Sequence, residues 1–255
     1  MLRSAIVATQ FLTRIPLSRR AGETHELARA AAYFPLVGAI VGAGIAAVAW
    51  ALTPILGLDV AVVAALIFGA LVTGAFHEDG LADTCDGLGG GFTRERALEI
   101  MRDSRIGSYG AVALVLLYAA RFTMFRTLGG RDLLLALPVA AALGGASGVT
   151  LMAWLPNARQ EGVADDVGRA LSSSTIAIAV ATPVLLAAIL CSIAAPLLVG
   201  AAALVTAIAG LHFRKRLGGI TGDCIGATHL AVEVTVLACA VGWTRVAPLE
   251  ALRWP

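Results

Sequence analysis

The chain has 255 residues, 58% of them hydrophobic and only 14% charged, and its mean hydropathy is +0.85. Soluble domains carry about 25% charged residues, so this composition excludes an ordinary water-soluble globular protein. A net charge of +2 gives no support for nucleic acid as a partner, and four cysteines (Cys85, Cys191, Cys224 and Cys239) without CxxC or other paired spacing offer no disulfide framework or zinc site.

The first residues hold a short apolar stretch, Ala5 to Ala8, which Gln10 and Arg14 interrupt. This reads as an amphipathic helix lying in the membrane interface rather than as a signal peptide. Apolar runs near the roughly 20 residues that cross a bilayer follow at 32–54, 59–77, 108–128, 133–155, 175–194, 196–213 and 225–244. The expected fold is therefore all-α: a multi-pass transmembrane helix bundle of about seven spans with short cytoplasmic helical loops. Residues 1–255 are expected to form a single integral-membrane domain. Pro196 and Gly200 are expected to mark the turn between the fifth and sixth spans. Gly38, Gly42 and Gly44 in the first span, with Gly144, Gly145 and Gly148 in the fourth, are small residues of the kind that let helices pack closely.

An N-terminus in the cytoplasm would place Arg3, Arg14, Arg19, Arg20, Arg29, Arg94, Arg96, Arg102, Arg105, Arg159, Arg169, Arg214, Lys215 and Arg216 inside. Only Arg126, Arg131, Arg245 and Arg253 would then lie outside, with Arg121 inside the third span. This asymmetry fits the positive-inside rule and points to the cytoplasmic (inner) membrane.

After the second span the chain reads HEDGLADTCDGLGGG, from His77 to Gly91. If this stretch is helical, Asp79, Asp83 and Asp86 at i, i+4 and i+7 fall within about 60° of one face. Three carboxylates on one face repel unless a cation sits before them, and an oxygen-only set suits Mg²⁺ better than zinc. His77 would point about 160° away from Asp79 on an unbroken helix.

Beyond the glycines, Thr93 is a plausible N-cap for a short helix with Arg105 in its last turn and Gly107 closing it. Glu99 and Asp103 would then be one turn apart, beside Arg102 and Arg105. Carboxylates and arginines around one cavity suit phosphate chemistry, since Mg²⁺ and guanidinium both neutralise phosphoryl oxygens. A salt-bridged surface helix is the simpler alternative.

The last charged block runs from Arg214 to Glu233. Arg214, Lys215 and Arg216 suit a positive-inside anchor. Asp223, among Gly218, Gly219, Gly222 and Gly226, lies where backbone can approach a bulky anion. Glu233 falls inside the seventh apolar run, where an acid is costly unless it faces a polar cavity. His229 is a lone histidine with packing as an equal explanation.

Together, HEDGLADTCDG, LEIMRDSRIGSYG (98–110), FPLVG (34–38), TRIP (13–16) and GGITGDCIGA (218–227) resemble the cobalamin synthase family, the adenosylcobinamide-GDP ribazoletransferases. The resemblance covers almost the whole chain. Two positions depart from it, Gly148 where relatives carry Arg and Leu230 where a Glu is common. The resemblance implies the last assembly step of coenzyme B12: adenosylcobinamide-GDP and α-ribazole, or its 5′-phosphate, combine with release of GMP and a requirement for Mg²⁺. The charge asymmetry described above would then put the active site on the cytoplasmic side.

On this reading Asp79, Asp83, Asp86 and Asp223 are the expected metal ligands. Asp83, Asp103, Glu78 and His77 are the expected catalytic groups, the last two as candidate base. Arg102, Arg105, Arg214, Gly222 and Glu233 are expected around the substrate and its pyrophosphate. Membrane lipid and other late B12-synthesis enzymes are expected neighbours, and oligomeric state stays open. Two other classes compete: a phospholipid-type alcohol phosphotransferase, and a divalent-cation transporter. In the first, Ala-Arg should follow the Asp-Gly pair, whereas here Leu81-Ala82-Asp83 follows; the second would need its acids in mid-span.

Overall fold

A computed structural model describes residues 2–17, 24–159 and 167–246, and among them every regular element is helical. Arg19, Arg20 and Arg253 of the charge pattern lie outside the described residues. Helix α1 (Leu2–Leu12) and the short α2 (Thr24–Ala30) precede α3 (Phe34–Leu56), α4 (Leu58–Thr73), α5 (Phe76–Gly90) and α6 (Arg94–Ile100). Then come α7 (Ser108–Trp154), α8 (Ser173–Cys191), α9 (Ala195–Leu217) and α10 (Gly222–Val246).

Four stretches, His25–Leu56, Ser108–Trp154, Ser173–Leu217 and Gly222–Val246, are long and apolar enough to cross a membrane. A fifth is added if α4 and α5, bent by 87°, count as one broken span. The chain is thus a multi-pass helical bundle, and the finer division into seven spans is not what this count returns. Two of the stretches hold 47 and 45 residues, more than twice the roughly 20 that a crossing needs. Both are interrupted. In α7 the backbone is non-helical at Gly129 (φ 50°) and Gly130 (φ 38°). Between α8 and α9 the chain turns at Ser192–Ala194, with Ser192 at φ 41°. The turn lies before Pro196 rather than at Pro196 and Gly200. Proline suits the first turn of a helix, where its missing N–H would be unpaired anyway, and Pro196 stands there in α9. Gly200 is inside that helix.

The glycines of α3 pack as expected. A Cβ at Gly38 would stand 2.7 Å from the Ala141 carbonyl oxygen, and one at Gly42 2.8 Å from that of Leu137. Helix α3 therefore lies nearly backbone to backbone on the second half of α7. Ile40, Ile67, Leu71, Leu185, Ile189 and Leu204 stay exposed, which gives the bundle an apolar outer surface that water would not tolerate at this extent.

At one end of the bundle Arg126, near the break in α7, pairs with Asp59 at the start of α4. At the other end several elements interlock. The Arg94 guanidinium donates to the carbonyls of Leu217 (2.7 Å) and Ala158 (2.8 Å), and that of Arg216 to Gly91 (2.8 Å). Residues 156–158 pair with Ile220 through two backbone hydrogen bonds of 2.7 and 2.9 Å. The acidic helix α5 is held at this second end.

Candidate functional site

Helix α5 exists as a separate element because the chain turns sharply before it. Gly74 (φ 67°) and Ala75 (φ 55°) both adopt the left-handed conformation, which is strained for a residue with a Cβ. The Arg14 N–H donates to the Val72 carbonyl at 2.7 Å, so the segment after α1 braces the bend. With four carboxylates in its 15 residues, α5 is read as lying at the membrane edge, beyond the span that α4 belongs to.

Position 80 decides how close α5 comes to α10. A Cβ there would stand 2.9 Å from the Asp223 carbonyl oxygen, so only glycine lets the backbone of Asp223 lie against this helix. Asp79 and Asp83 are thereby brought beside Asp223. Burial, with the charges of Asp223 and Asp79 next, raises the Asp83 carboxyl to about 6; Arg159 opposes that rise. Among the described residues, neither Asp79 nor Asp83 accepts a side-chain hydrogen bond. Asp223 accepts one from the Arg159 guanidinium at 2.9 Å and one from the Thr221 hydroxyl at 3.2 Å.

Asp86 is employed differently. It is buried, and its oxygens accept the backbone N–H groups of Gly107 (2.7 Å) and Gly110 (2.9 Å) at the start of α7. Gly107 is the N-cap residue and has no side chain to satisfy those donors. The carboxylate of α5 does so instead, with favourable charge on the helix dipole.

Thr93 caps α6 as expected, its hydroxyl accepting from the Arg96 N–H at 3.2 Å. The helix ends at Ile100, however, so Asp103 and Arg105 lie in the loop after it rather than in its last turn. Asp103 accepts the backbone N–H of Arg105 at 3.1 Å, a local bond that competes with helix continuation. The Arg105 guanidinium also donates to both its oxygens and holds the Asp103 carboxyl down at about 2. Arg102, Arg105 and Arg214 are exposed, and none of them lines either of the two cavities described below.

Inside the bundle Arg121 of α7 joins Glu78 of α5 and Glu233 of α10, each at 2.8 Å, and all three are buried. His77 does not turn toward Asp79. Its ring stacks on that of His229 with centroids 3.9 Å apart and planes 13° apart. The sequence pointed to Glu78, Glu233 and His77, but assigned no role to Arg121 or Arg159. An arginine in one apolar run and a glutamate in another is a readable signal, since intramembrane charges pair. Arg159, in a loop without a motif, leaves no such mark.

Two cavities meet at the start of α5. One, of about 640 Å³, is lined by Thr13, Arg14, Asp79, Asp83 and Ser104 among others. The second, of about 370 Å³, is mainly apolar; Glu78, Arg121, Glu233, His77 and His229 stand along it, with Arg159, Gly222 and Asp223 also in its lining. Phe11, Thr73, Phe76 and Glu78 border both.

Among the described residues no three His, Cys, Asp or Glu side chains gather around one point at metal-binding distance. That arrangement still fits a magnesium ion, which typically takes one or two protein carboxylates and fills its octahedron with water and substrate phosphate. Asp79 and Asp83, free of side-chain hydrogen bonds and mutually repelling, are oxygen donors of that kind, with Asp223 next to them.

The protein-family comparison matches residues 4–241 to the cobalamin-5-phosphate synthase family. Curated relatives include the adenosylcobinamide-GDP ribazoletransferases of Leptothrix cholodnii (40% identical, 94% of either chain) and Ralstonia nicotianae (38%, 95% of this chain and 96% of that protein). That of Rhizobium etli is 39% identical over 92% of this chain and 94% of its own. No solved structure matches. With the family model matching nearly all of its length, the chain belongs to the cobalamin-5-phosphate synthase family.

Proposed function

We propose that the protein joins adenosylcobinamide-GDP to α-ribazole or its 5′-phosphate, giving adenosylcobalamin or its phosphate and releasing GMP, at an Mg²⁺-dependent site on the cytoplasmic face of the inner membrane. The observation that carries this reading is that Asp79 and Asp83 on one cavity stand beside Asp223 and Arg159 on the adjoining one, in a family whose relatives are named for this transfer. A ribose hydroxyl attacks the phosphorus bonded to the cobinamide arm, the P–O bond to the GMP phosphate breaks, and GMP departs with that oxygen. Mg²⁺ held by Asp79, Asp83 and Asp223 would neutralise charge on the phosphoryl oxygens. Arg159, fixed by Asp223, offers its remaining N–H groups to the same phosphates. Asp83 lies close enough to neutral pH to take the hydroxyl proton when it is not bound to the ion. With the N-terminus inside, and with the two long stretches each crossing twice around their interruptions, α5, α6 and the loop at 156–159 would lie together on the cytoplasmic side.

The test is an assay of liposome-reconstituted protein with both substrates and Mg²⁺, following GMP and the corrinoid product. Wild type should make both in equal amounts, and Asp83→Asn should lower turnover at least about hundredfold. A well-folded wild type that binds Mg²⁺ yet makes neither product would overturn the reading.

A further inference from the structure

We propose that the mainly apolar 370 Å³ cavity between α1, α3, α4, α7 and α10 binds the acceptor nucleoside, its uncharged bicyclic base seated in the apolar interior and its ribose turned toward Arg159 and Asp223. This rests on the transferase reading above.

The volume lies at the lower end of the about 300–1,000 Å³ typical of small-molecule pockets, and the interior is walled by Val37, Val41, Ile45, Leu66 and Phe125. A corrinoid ring carrying GDP is too large for it, and a diphosphate in the apolar interior would lose its hydration away from Arg159, while Arg121 is already neutralised by Glu78 and Glu233. A benzimidazole riboside has the matching gradient, with one flat apolar end and one hydroxylated end. His77 and His229, stacked on each other, also stand in the cavity wall.

Polar groups at the interlocked end complete the match. Asn157, Arg159, Thr221 and Asp223 line the cavity there, and the Arg159 Nε is buried without any hydrogen-bond partner. A buried guanidinium N–H left unpaired is costly, and a ribose or phosphate oxygen would satisfy it. The shared border at Phe11, Thr73, Phe76 and Glu78 sets this cavity against the wider one that carries Asp79 and Asp83. The nucleoside and the GDP-linked substrate thus approach the acids from two sides of the start of α5.

The first test uses the wild-type protein in liposomes, with free benzimidazole as the probe. It should compete with α-ribazole and leave the KM for adenosylcobinamide-GDP unchanged. Val41→Phe, which narrows the interior, should raise the KM for α-ribazole at least about tenfold while that for the GDP-linked substrate stays within about twofold. Benzimidazole that competes with the GDP-linked substrate, or with neither, overturns the assignment. A Val41→Phe protein in which neither KM moves, as expected if a lipid chain fills the cavity, overturns it too. Should that variant not fold, the wild-type competition decides alone. Wild type that turns over normally without such competition refutes only this assignment, whereas a folded wild type with no turnover refutes the transferase reading itself.

Discussion

Asp83 and Arg121 show two opposite treatments of charge. Asp83 is half-buried among like charges, and its carboxyl rises to about 6 from the usual 3.8. The folded state therefore holds this proton more tightly than the unfolded chain does. Without a cation the group detracts from stability above pH about 6 and ceases to do so as the pH falls toward 4. A metal must displace that proton, so Mn²⁺ affinity read by electron paramagnetic resonance should rise as pH increases through about 6 and then level off. Asp83→Asn should bind weakly with a flat profile over that range; an unchanged slope in that variant would place the titration elsewhere. Arg121 is instead enclosed between two glutamates. Arg121→Met leaves both acids buried without their cation and should cost about 3–5 kcal/mol, measured by denaturation in mixed micelles. Adding Glu78→Gln and Glu233→Gln should restore most of that loss.

At the scale of elements, α5 was the most legible part of the chain and also the part where pattern alone divided least well. The i, i+4, i+7 spacing puts the acids along one face provided the stretch is helical, and it is helical. It could not show that the face meets two different neighbours, an open cavity along its first turns and the bare N-terminus of α7 at its last. Asp86 therefore caps a helix while Asp79 and Asp83 stay open to ligand. The end of α6 was misjudged for a similar reason, because a bond from the Arg105 N–H to the Asp103 side chain outcompetes helical continuation. The contact of α5 with α10 depends on Gly80. Gly80→Leu should push the helices apart, cost roughly 1–3 kcal/mol and reduce Mg²⁺-dependent turnover far more than that loss of stability explains. Comparing activity with the folded fraction at one temperature separates the two effects.

For the molecule as a whole, hydropathy gave the apolar segments to within a few residues, whereas Pro196 and Gly200 misplaced the turn at Ser192–Ala194 and the break at Gly129–Gly130 was not read from its glycines. Sequence distance hid what the bundle brings together: Arg159 lies 64 residues from Asp223, and Arg121 lies 112 from Glu233. The proposed orientation makes a direct prediction. In a background without the four native cysteines, Gly129→Cys should react with a membrane-impermeant maleimide from outside intact cells. Phe92→Cys, exposed at the opposite end, should react only after the membrane is opened. Equal labelling of both would refute the arrangement.

The Glu78–Arg121–Glu233 cluster also fixes an order of events during synthesis. Glu78 precedes Arg121 by 43 residues, whereas Glu233 follows it by 112. At about 5–20 residues per second the ribosome needs on the order of ten seconds to supply that last partner. During this interval Arg121 can enter the bilayer already neutralised by Glu78, so the nascent chain carries a balanced pair rather than a bare cation. Glu233 arrives last, together with the helix that brings Asp223. The enzyme's chemistry is therefore assembled only when its final helix is inserted, and a prematurely released chain would embed in the membrane without being able to act there.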